Sequence, residues 1–256
     1  MKSWGSILTQ VARRCVPTPV RNRLWTLRRR FSAWPPVGLV RFGDLRRTRP
    51  ISSIFGLDRG RCIDRLFIED FLRSNASDIR GRVLEVAEDT YSRRFGGAAV
   101  ERCDVLHADH GNPVATIVGD LATGDGIPES AFDCVIVTQT LHCIFDMAGA
   151  VKTIQRALKP GGVALATLPG ISQISRYDMD RWGDYWRFTS LSARRLFEAT
   201  FPPDRVSVKA HGNVLVAAAF LYGLAVEDLR LGELEADDPD YEVLITVRAE
   251  KGQAAP

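Results

Sequence analysis

The fold is decided by residues 131–170, which read AFDCVIVTQTLHCIFDMAGAVKTIQRALKPGGVALATLPG. Residues 134–137 are a short apolar run, typical of a strand that is buried on both faces. Asp146 can cap the helix that follows, whose apolar residues recur with helical spacing. Pro160 and the two glycines after it end that helix, and residues 163–168 form a second apolar strand. Two parallel strands joined by one helix predict a right-handed βαβ unit.

Three parts of this stretch also carry a family resemblance: residues 131–137 (AFDCVIV), the pair Leu141-His142, and residues 156–162 (RALKPGG). Together they resemble the second half of the class I S-adenosylmethionine-dependent methyltransferase fold, and the most similar group is called type 11. The resemblance extends over residues 79–251. It implies an α/β, Rossmann-like sheet that is mostly parallel with an antiparallel C-terminal strand, and it implies S-adenosylmethionine as the cofactor.

Charge divides the chain into two parts. Residues 1–50 hold twelve Lys or Arg against one acid, a net charge of +11, whereas the whole chain is +3 and residues 51–256 are therefore −8. We predict a basic N-terminal arm at 1–50 and a methyltransferase domain at 51–256. Residues 1–35 interleave arginines with tryptophans and leucines, which suits an anionic membrane surface, although a solvated, partly disordered arm is an equal alternative. No recognised nucleic-acid motif accompanies the charge.

The cysteines and the apolar runs indicate the cellular compartment of the protein. The five cysteines form no Cys-x-x-Cys pair and mostly lie in apolar runs, which is typical of reduced, buried thiols in a cytoplasmic protein. No stretch reaches the roughly 18 apolar residues of a spanning helix. The histidines and acids lack metal-ligand spacing, so no metal is expected. We therefore expect a cytoplasmic protein, with contact to the inner face of the membrane if the arm binds lipid.

The first strand of the sheet, residues 81–86, is followed by a turn that departs from the family pattern. The family places a Gly-x-Gly-x-Gly sequence there, whereas this chain continues with Ala87 and has no glycine until Gly96. Each Cβ in the turn takes space that a bound cofactor would otherwise use. The glycine-rich first motif is therefore degenerate, although the acid at the strand end, Glu85, is retained. Glu85, Val86 and Ala87 are the predicted cofactor contacts of this strand and turn.

Two further acids follow strands at the places where the family contacts its cofactor. The resemblance implies that Asp109, after the second strand, receives the ribose hydroxyls and that Asp120, after the third, lies near the adenine. A carboxylate suits a vicinal diol because both of its oxygens accept hydrogen bonds. Only six residues separate Asp109 from the third strand, too few for the usual crossover helix. Leu121, Thr138 and Gln139 complete the predicted cofactor site, because ligands bind beyond the carboxyl ends of such strands.

A helix predicted at residues 63–74 precedes the first strand, and in the family a helix there covers the cofactor pocket. Arg59, Asp64 and Arg65 could reach the site from it, but surface salt bridges are the simpler expectation for each of them. His142, after the fourth strand, is a candidate general base near neutral pH.

Residues 177–188 read YDMDRWGDYWRF and alternate five aromatic with five charged residues. Sugars present apolar C–H faces that lie on aromatic rings, and hydroxyls that bind acids and arginines, so this segment predicts a wall for a sugar acceptor. Asp184 is the second catalytic candidate, as a proton acceptor. Alternatively, Trp186 and Phe188 pack beneath the following helix. The predicted substrate contacts are Tyr177, Asp180, Trp182, Tyr185, Trp186 and Arg187.

The predicted reaction is transfer of a sulfonium methyl group to an acceptor oxygen rather than nitrogen. Alignment supplies much of the rate of such a displacement, and a nearby base takes the proton. Two alternatives stay open. A catalytically silent, methyltransferase-like scaffold would suit the altered first turn, and an NAD-dependent oxidoreductase would need Gly-x-Gly-x-x-Gly after the first strand. Retention of Glu85, Asp109 and Asp120 favours the methyltransferase, whose acceptor and oligomeric state the sequence leaves open.

Overall fold

A computed structural model describes residues 19–20, 23 and 34–253 of the chain. The chain divides into two compact units, Met1–Thr48 and Arg49–Pro256. Among the described residues, no helix has the length and apolar character needed to cross a bilayer.

The described part of the first unit contains a short 3-10 helix, Gly43–Leu45. Beside it, the Arg46 guanidinium lies over the Phe42 ring, 5.5 Å from the ring centroid. The membrane hypothesis for residues 1–35 concerns a segment that lies almost wholly outside the described residues, so it stays a prediction.

The second unit is built on one sheet of seven strands within the described residues. They are β1 (Gly81–Val86), β2 (Val100–His107), β3 (Ile117–Val118), β4 (Phe132–Thr138), β5 (Leu158–Pro169), β6 (Val206–His211) and β7 (Leu244–Glu250). Their order is β3-β2-β1-β4-β5-β7-β6. Strands β1 to β5 pair in parallel, whereas β7 is antiparallel to both β5 and β6. This confirms the predicted Rossmann-like sheet with its antiparallel C-terminal strand.

Helices cover both faces of the sheet. They are α1 (Ile63–Ser74), α2 (Met147–Ala157), α3 (Arg176–Met179), α4 (Ser190–Glu198), α5 (Val214–Leu221) and α6 (Leu231–Glu235). Because successive strand residues point to opposite faces, Val135 and Ile136 of β4 enter different cores. Val135 packs in the core formed with α2 and α4, and Ile136 in the core formed with α1 and α5. The unit therefore has three layers, with the sheet in the middle.

The βαβ unit at 131–170 forms as predicted, with one difference. Asp146 caps α2 by accepting a hydrogen bond from the Gly149 N–H at 2.9 Å, and the helix ends at Ala157. Strand β5 then begins at once, at Leu158, five residues earlier than predicted. Gly161 has a φ of +75°, and the pairing with β4 shifts register there, so a bulge carries the turn sequence into the strand.

Helix α5 is shorter than its apolar sequence predicts. The sequence predicts a helix to about residue 229, but α5 ends at Leu221. Gly223 has a φ of +68° and its N–H donates to the Phe220 carbonyl at 3.0 Å, while the Leu224 N–H donates to Ala219 at 2.9 Å. These two bonds form a Schellman motif, which ends a helix at a left-handed glycine. The predicted length was therefore wrong because this glycine acts as a stop.

Candidate active site

A pocket of the second unit lies where the carboxyl ends of β4 and β5 meet the start of α1. Its walls come from the segment that leads into α1, the loop after β4 and the loop after β5. Ligands of open α/β sheets bind beyond the carboxyl ends of the strands, so the pocket is at the expected edge. Its charged and polar lining includes Asp64, Arg65, Gln139, His142, Asp184 and Arg187.

The turn after β1 is held by the strand that precedes it. The buried Glu85 carboxylate accepts hydrogen bonds from the Tyr91 N–H at 3.1 Å and from the N–H and hydroxyl of Ser92 at 2.8 and 2.6 Å. Burial raises the pKa of Glu85, although these bonds oppose the shift. The sequence assigns Glu85 to the cofactor site, but its oxygens bind the chain itself, so Glu85 shapes the turn.

Ala87, which stands where the glycine-rich turn of the family begins, adopts a glycine-like backbone conformation. Its φ is +73°, in the left-handed region that costs an L-residue roughly 1–2 kcal/mol. Its N–H donates to the Leu106 carbonyl at 2.9 Å, and its own carbonyl accepts a bond from Asn112 Nδ2 at 2.7 Å. The turn therefore lacks the family's glycines but has one residue in the left-handed conformation that glycine favours. Val86, the residue before it, is half-buried at the end of β1.

Asp109 and Asp120 occupy equivalent places on neighbouring strands. His107 at the end of β2 pairs with Val118 at the end of β3, and each acid follows its strand by two residues. Both acids are exposed, and each accepts one hydrogen bond at 2.7 Å from an N–H two residues further on. The structure thus brings both predicted carboxylates to the carboxyl edge, with one oxygen of each in a local turn.

The remaining predicted cofactor contacts lie in different environments. Gln139 lines the pocket, has a φ of +48°, and donates its N–H to the Thr167 carbonyl at 3.1 Å. Thr138 is half-buried at the end of β4. Leu121 has its side chain in the apolar core. Of these three residues, the structure therefore places Gln139 in the pocket.

His142 lines the pocket within a short 3-10 turn, Leu141–Cys143. The ring is buried, and its Nδ1 has no hydrogen-bond partner within the part of the chain that the structure describes. Burial lowers the pKa of His142 from its ordinary value, although the negative charge of Asp184 opposes the shift. The ring is therefore neutral at pH 7, which is the state that a general base requires.

Asp184 and Arg187 form a closed ion pair. Arg187 Nη1 and Nη2 donate to the two Asp184 oxygens at 2.5 and 2.8 Å, and the Ser175 N–H donates to Asp184 at 2.9 Å. Burial alone would raise the pKa of Asp184, but these hydrogen bonds outweigh it and lower that pKa. The sequence proposes Asp184 as a proton acceptor and Arg187 as a substrate contact. Their pairing favours a different role, since Arg187 also donates to the Gln173 carbonyl and so fastens the loop after β5.

The first half of the aromatic segment 177–188 reaches the end of β2. Trp182 packs edge-on against His107, with ring centroids 6.0 Å apart, and against Tyr177 at 5.8 Å. Arg181 stacks on the Tyr177 ring at 3.7 Å. Tyr177 and Trp182 keep 61% and 38% of their surface exposed, so both present ring area to a ligand, and Asp180 beside them is exposed as well.

The second half of the segment packs on the loop after β4. Tyr185 and Trp186 contact the Phe145 ring at centroid distances of 5.5 and 5.6 Å. Tyr185 remains half exposed, whereas Trp186 is partly buried against the core. Phe188 lies in the core with α4, as the packing alternative expects. The predicted acceptor wall thus divides into an exposed set and a structural set.

The first turn of α1 brings Asp64 and Arg65 into the pocket. Arg65 Nη1 donates to the Tyr91 hydroxyl at 2.8 Å, and Asp64 accepts the Arg65 N–H at 2.8 Å. Arg59 instead makes the expected surface pair, with Asp228 at 2.8 Å. The sequence favours surface salt bridges for Asp64 and Arg65. Their helix precedes the first strand, however, and that position indicates that they can reach the pocket.

His142, Cys143 and Asp178 bring an imidazole, a thiol and a carboxylate within 4.8 Å of one another. These are ligand types that zinc accepts, and the sequence spacing does not predict their meeting. Burial raises the pKa of the Cys143 thiol to about 12, so the thiol is protonated at neutral pH. A cation would have to displace that proton before the thiol could bind it.

Residues 71–166 match the family model described as the methyltransferase domain. This range runs from α1 into β5 and includes the turn after β1, both predicted cofactor acids and His142. The match confirms the resemblance to the class I, type 11 methyltransferases, and it supports S-adenosylmethionine as the cofactor. No curated protein matches the sequence.

Solved structures resemble the fold at low sequence identity. The [4+2]-cyclase SpnF is 15% identical over 77% of this chain and 85% of that chain, with a TM-score of 0.50. An S-adenosylmethionine-dependent methyltransferase from Archaeoglobus fulgidus is 11% identical over 73% and 94%, with a TM-score of 0.49. The N-methyltransferase NodS from Bradyrhizobium japonicum WM9 is 12% identical over 79% and 94%, with a TM-score of 0.46. The likeness to the cyclase shows that the fold is shared. At this low sequence identity it shows the fold alone.

Proposed function

We propose that this protein transfers the methyl group of S-adenosylmethionine to a hydroxyl oxygen of a sugar or another small acceptor. The observation that supports this most is the neutral, buried His142 ring in a pocket at the carboxyl end of β4. The cofactor supplies an electrophilic methyl group when it is bound. The chain must align the acceptor and take its proton, and His142 is the base placed to do so.

The residues at the carboxyl edge fit this cofactor. Ala87 adopts the left-handed backbone conformation that glycine favours, at the turn where the family has glycine. Asp109 and Asp120 are exposed at the ends of neighbouring strands, and we assign them to the ribose and the adenine. Gln139 lines the pocket beyond the carboxyl ends of β4 and β5.

The exposed aromatic rings support a sugar as the acceptor. Tyr177, Trp182 and Tyr185 expose ring surface along the carboxyl edge, and the exposed Asp180 lies among them. Rings of this kind bind the apolar faces of sugars, while carboxylates bind sugar hydroxyls. Asp184 and Arg187 serve the acceptor indirectly, since their ion pair holds the loop that carries these rings.

The test is methyl transfer from S-adenosylmethionine to a panel of glycan hydroxyl acceptors. His142→Gln should lower the rate about a hundredfold while cofactor affinity is unchanged. Trp182→Ala should raise the KM for the acceptor with little change in stability. Cofactor binding without transfer to any acceptor would favour the scaffold alternative, and binding of NADH in place of S-adenosylmethionine would favour the oxidoreductase.

Cys143→Ser is the matched control for the base assignment, because it changes the neighbouring residue and removes one side chain of the His142, Cys143 and Asp178 group. If His142 is a base, Cys143→Ser and added chelator leave the rate unchanged. Loss of activity with both, restored by zinc, would make His142 a metal ligand instead.

We also propose that residues 1–35 contact anionic membranes, on the basis of the +11 charge of residues 1–50 and the interleaved tryptophans. Each basic residue near such a surface contributes roughly 1 kcal/mol, and salt screens this attraction. The full chain should therefore sediment with phosphatidylserine vesicles at low salt and be released at high salt. Equal sedimentation with neutral vesicles would contradict the proposal.

A further inference from the structure

Three side chains with free electron pairs meet at the pocket. An imidazole nitrogen of His142, the Cys143 sulfur and a carboxylate oxygen of Asp178 lie within 4.8 Å of one another. His142 and Cys143 are consecutive in the 3-10 turn after β4, whereas Asp178 lies in α3. The tertiary fold brings the groups together, which is why their spacing in the sequence predicts no metal. His142 and Asp178 also line the pocket, so a small ion can approach the group from that side.

None of the three groups is engaged elsewhere within the part of the chain that the structure describes. His142 is 5% exposed, and its Nδ1 has no hydrogen-bond partner there. Cys143 is a free, half-buried thiol. The Asp178 N–H donates to the Ser175 hydroxyl, but the Asp178 carboxylate makes no hydrogen bond or ion pair within residues 34–253. Buried polar groups are normally paired because leaving them unpaired costs free energy, so this group favours a ligand.

The chemistry of the three groups selects the ligand. Magnesium and calcium prefer ligand sets made of oxygen, whereas imidazole, thiolate and carboxylate together suit zinc. Tetrahedral zinc, with bonds of about 2.0 to 2.3 Å, holds its ligand atoms roughly 3.5 Å apart, so the three atoms must approach one another by about 1 Å. Asp178 can supply this movement, because its carboxylate has no hydrogen bond to break within the described residues and α3 is a single turn.

Zinc and a proton compete for the same electron pair of His142. A neutral imidazole has one nitrogen with a free electron pair, while the other nitrogen carries a hydrogen. Whichever nitrogen binds zinc, the ring then has no electron pair left with which to take a proton. Cys143 loses its thiol proton to solvent as the zinc–sulfur bond forms.

We propose that His142, Cys143 and Asp178 form a zinc site, and that zinc bound there inhibits methyl transfer by occupying the base. The inhibition rests on the proposed function, whereas the zinc site rests on the three side chains alone. The metal-free protein is the active form, so a chelator does not lower its rate. Three protein ligands leave the fourth position of zinc free for water, an arrangement from which the ion can be removed by a chelator.

Zinc binding is measured directly on the full chain after its metal has been removed. Competition with a coloured zinc chelator should show one zinc bound per chain. Cys143→Ser and Asp178→Asn should each weaken zinc binding about a hundredfold, because even the hydrogen-bond partners of metal ligands commonly contribute tenfold or more. Cys103→Ser is the matched control, since Cys103 is a half-buried thiol of β2 outside the group, and it should leave zinc affinity unchanged.

Cobalt(II) gives a second measurement that needs no stable variant. In the wild-type protein it should show the near-ultraviolet absorption of a cobalt–thiolate bond, and this band should persist in Cys103→Ser and disappear in Cys143→Ser. Absence of the band from the wild-type protein overturns the site, and so does equal zinc affinity of wild type and Cys143→Ser. The proposed function stands in either case.

Methyl transfer tests the inhibition. Saturating zinc should lower the wild-type rate about a hundredfold, the same factor as loss of the base, and chelator should restore it. In Cys143→Ser, the rates with and without the same zinc concentration should be nearly equal. Zinc binding with an unchanged or raised wild-type rate overturns the inhibition. If the wild-type protein transfers no methyl group, the proposed function and the inhibition fail together, while zinc affinity and the cobalt spectrum still decide the site.

Discussion

Two aspartate–arginine pairs line the same pocket, and they differ in whether their charges are satisfied. Asp184 and Arg187 meet through two hydrogen bonds of 2.5 and 2.8 Å, and the Asp184 side chain is fully buried. Asp64 and Arg65 are consecutive in α1, and within the described residues neither has an ion-pair partner. A closed ion pair therefore holds the architecture, whereas side chains with unused donors and acceptors keep hydrogen-bonding capacity for a ligand.

The same distinction separates the loops after β1 and β4. After β1, both carboxylate oxygens of Glu85 accept hydrogen bonds from Tyr91 and Ser92, so that turn is complete without a ligand. After β4, the buried Nδ1 of His142 has no partner among the described residues. An unsatisfied buried polar atom costs about 1–3 kcal/mol, so its retention favours a role in the pocket.

The largest predicted effect is on the free energy of unfolding, and it follows from loss of the Asp184–Arg187 ion pair. Asp184→Ala leaves the Arg187 guanidinium without its carboxylate and frees the Ser175 N–H, so the free energy of unfolding should fall by about 3 kcal/mol. Urea denaturation measures it. Asp180→Ala, in the same segment but exposed, should change the free energy of unfolding little. Equal effects of the two variants would show that the pair does not hold the loop.

The pH dependence of methyl transfer tests whether the His142 imidazole acts as the general base. Because burial lowers the pKa of His142, the ring stays neutral down to a pH below its ordinary value of 6.5. The rate should be flat near pH 7 to 8 and should fall only below about pH 6.5, as the base becomes protonated. This acidic limb should disappear in His142→Gln, at a rate about a hundredfold lower. A limb that persists in the variant would assign it to another group.

Asp64→Asn should change the free energy of unfolding in the opposite direction to a substitution of Asp184. Burial raises the pKa of Asp64, although the positive charge of Arg65 opposes the shift, so the charged form destabilises the folded protein above the unfolded pKa of 3.8. The amide removes that charge, and stability at pH 7 should rise by about 1 kcal/mol. The gain should shrink as the pH falls towards 3.8, since the wild-type carboxyl is then protonated in both states. Loss of stability at pH 7 would show that the attraction between Asp64 and Arg65 outweighs the cost of burying the carboxylate.

The smallest predicted effect concerns the turn after β1. Ala87→Gly should stabilise the protein by about 0.5 kcal/mol, because relief of the left-handed strain outweighs the greater freedom of glycine in the unfolded chain. The matched control is Ala148→Gly in α2, where the exposed alanine has ordinary helical geometry and the change should cost up to about 1 kcal/mol. Denaturation curves that show the same loss for both would contradict a strained turn.

The fold was predictable because its signals are local. The strand and helix runs of residues 131–170 and the exact bounds of α1 follow from apolar spacing and from Pro and Gly. The end of α5 was equally readable at Gly223, but the apolar run beyond it concealed the stop. The places of Asp109 and Asp120 at the carboxyl edge of the sheet were predictable because each follows a recognisable strand end.

The state of the charges in the pocket was less accessible to sequence reasoning. Asp184 and Arg187 are three residues apart, so their pairing could have been inferred, yet the contacts from Ser175 and Gln173 that bury the pair could not. Within residues 34–253, no carboxylate from another element forms an ion pair with Arg65, which is a property of the tertiary fold. Tyr91, whose hydroxyl accepts a hydrogen bond from Arg65, lies 26 residues away.

The two aspartates are compared most directly by measuring how much S-adenosylmethionine raises the melting temperature of the wild-type protein, Asp184→Asn and Asp64→Asn. A ligand that binds the folded state stabilises it in proportion to its affinity. We expect Asp184→Asn to melt lower than wild type but to gain as much from the ligand, and Asp64→Asn to melt higher but to gain less. A full ligand-induced gain in Asp64→Asn, with the gain lost in Asp184→Asn, would contradict the assignment of one pair to the fold and the other to the ligand.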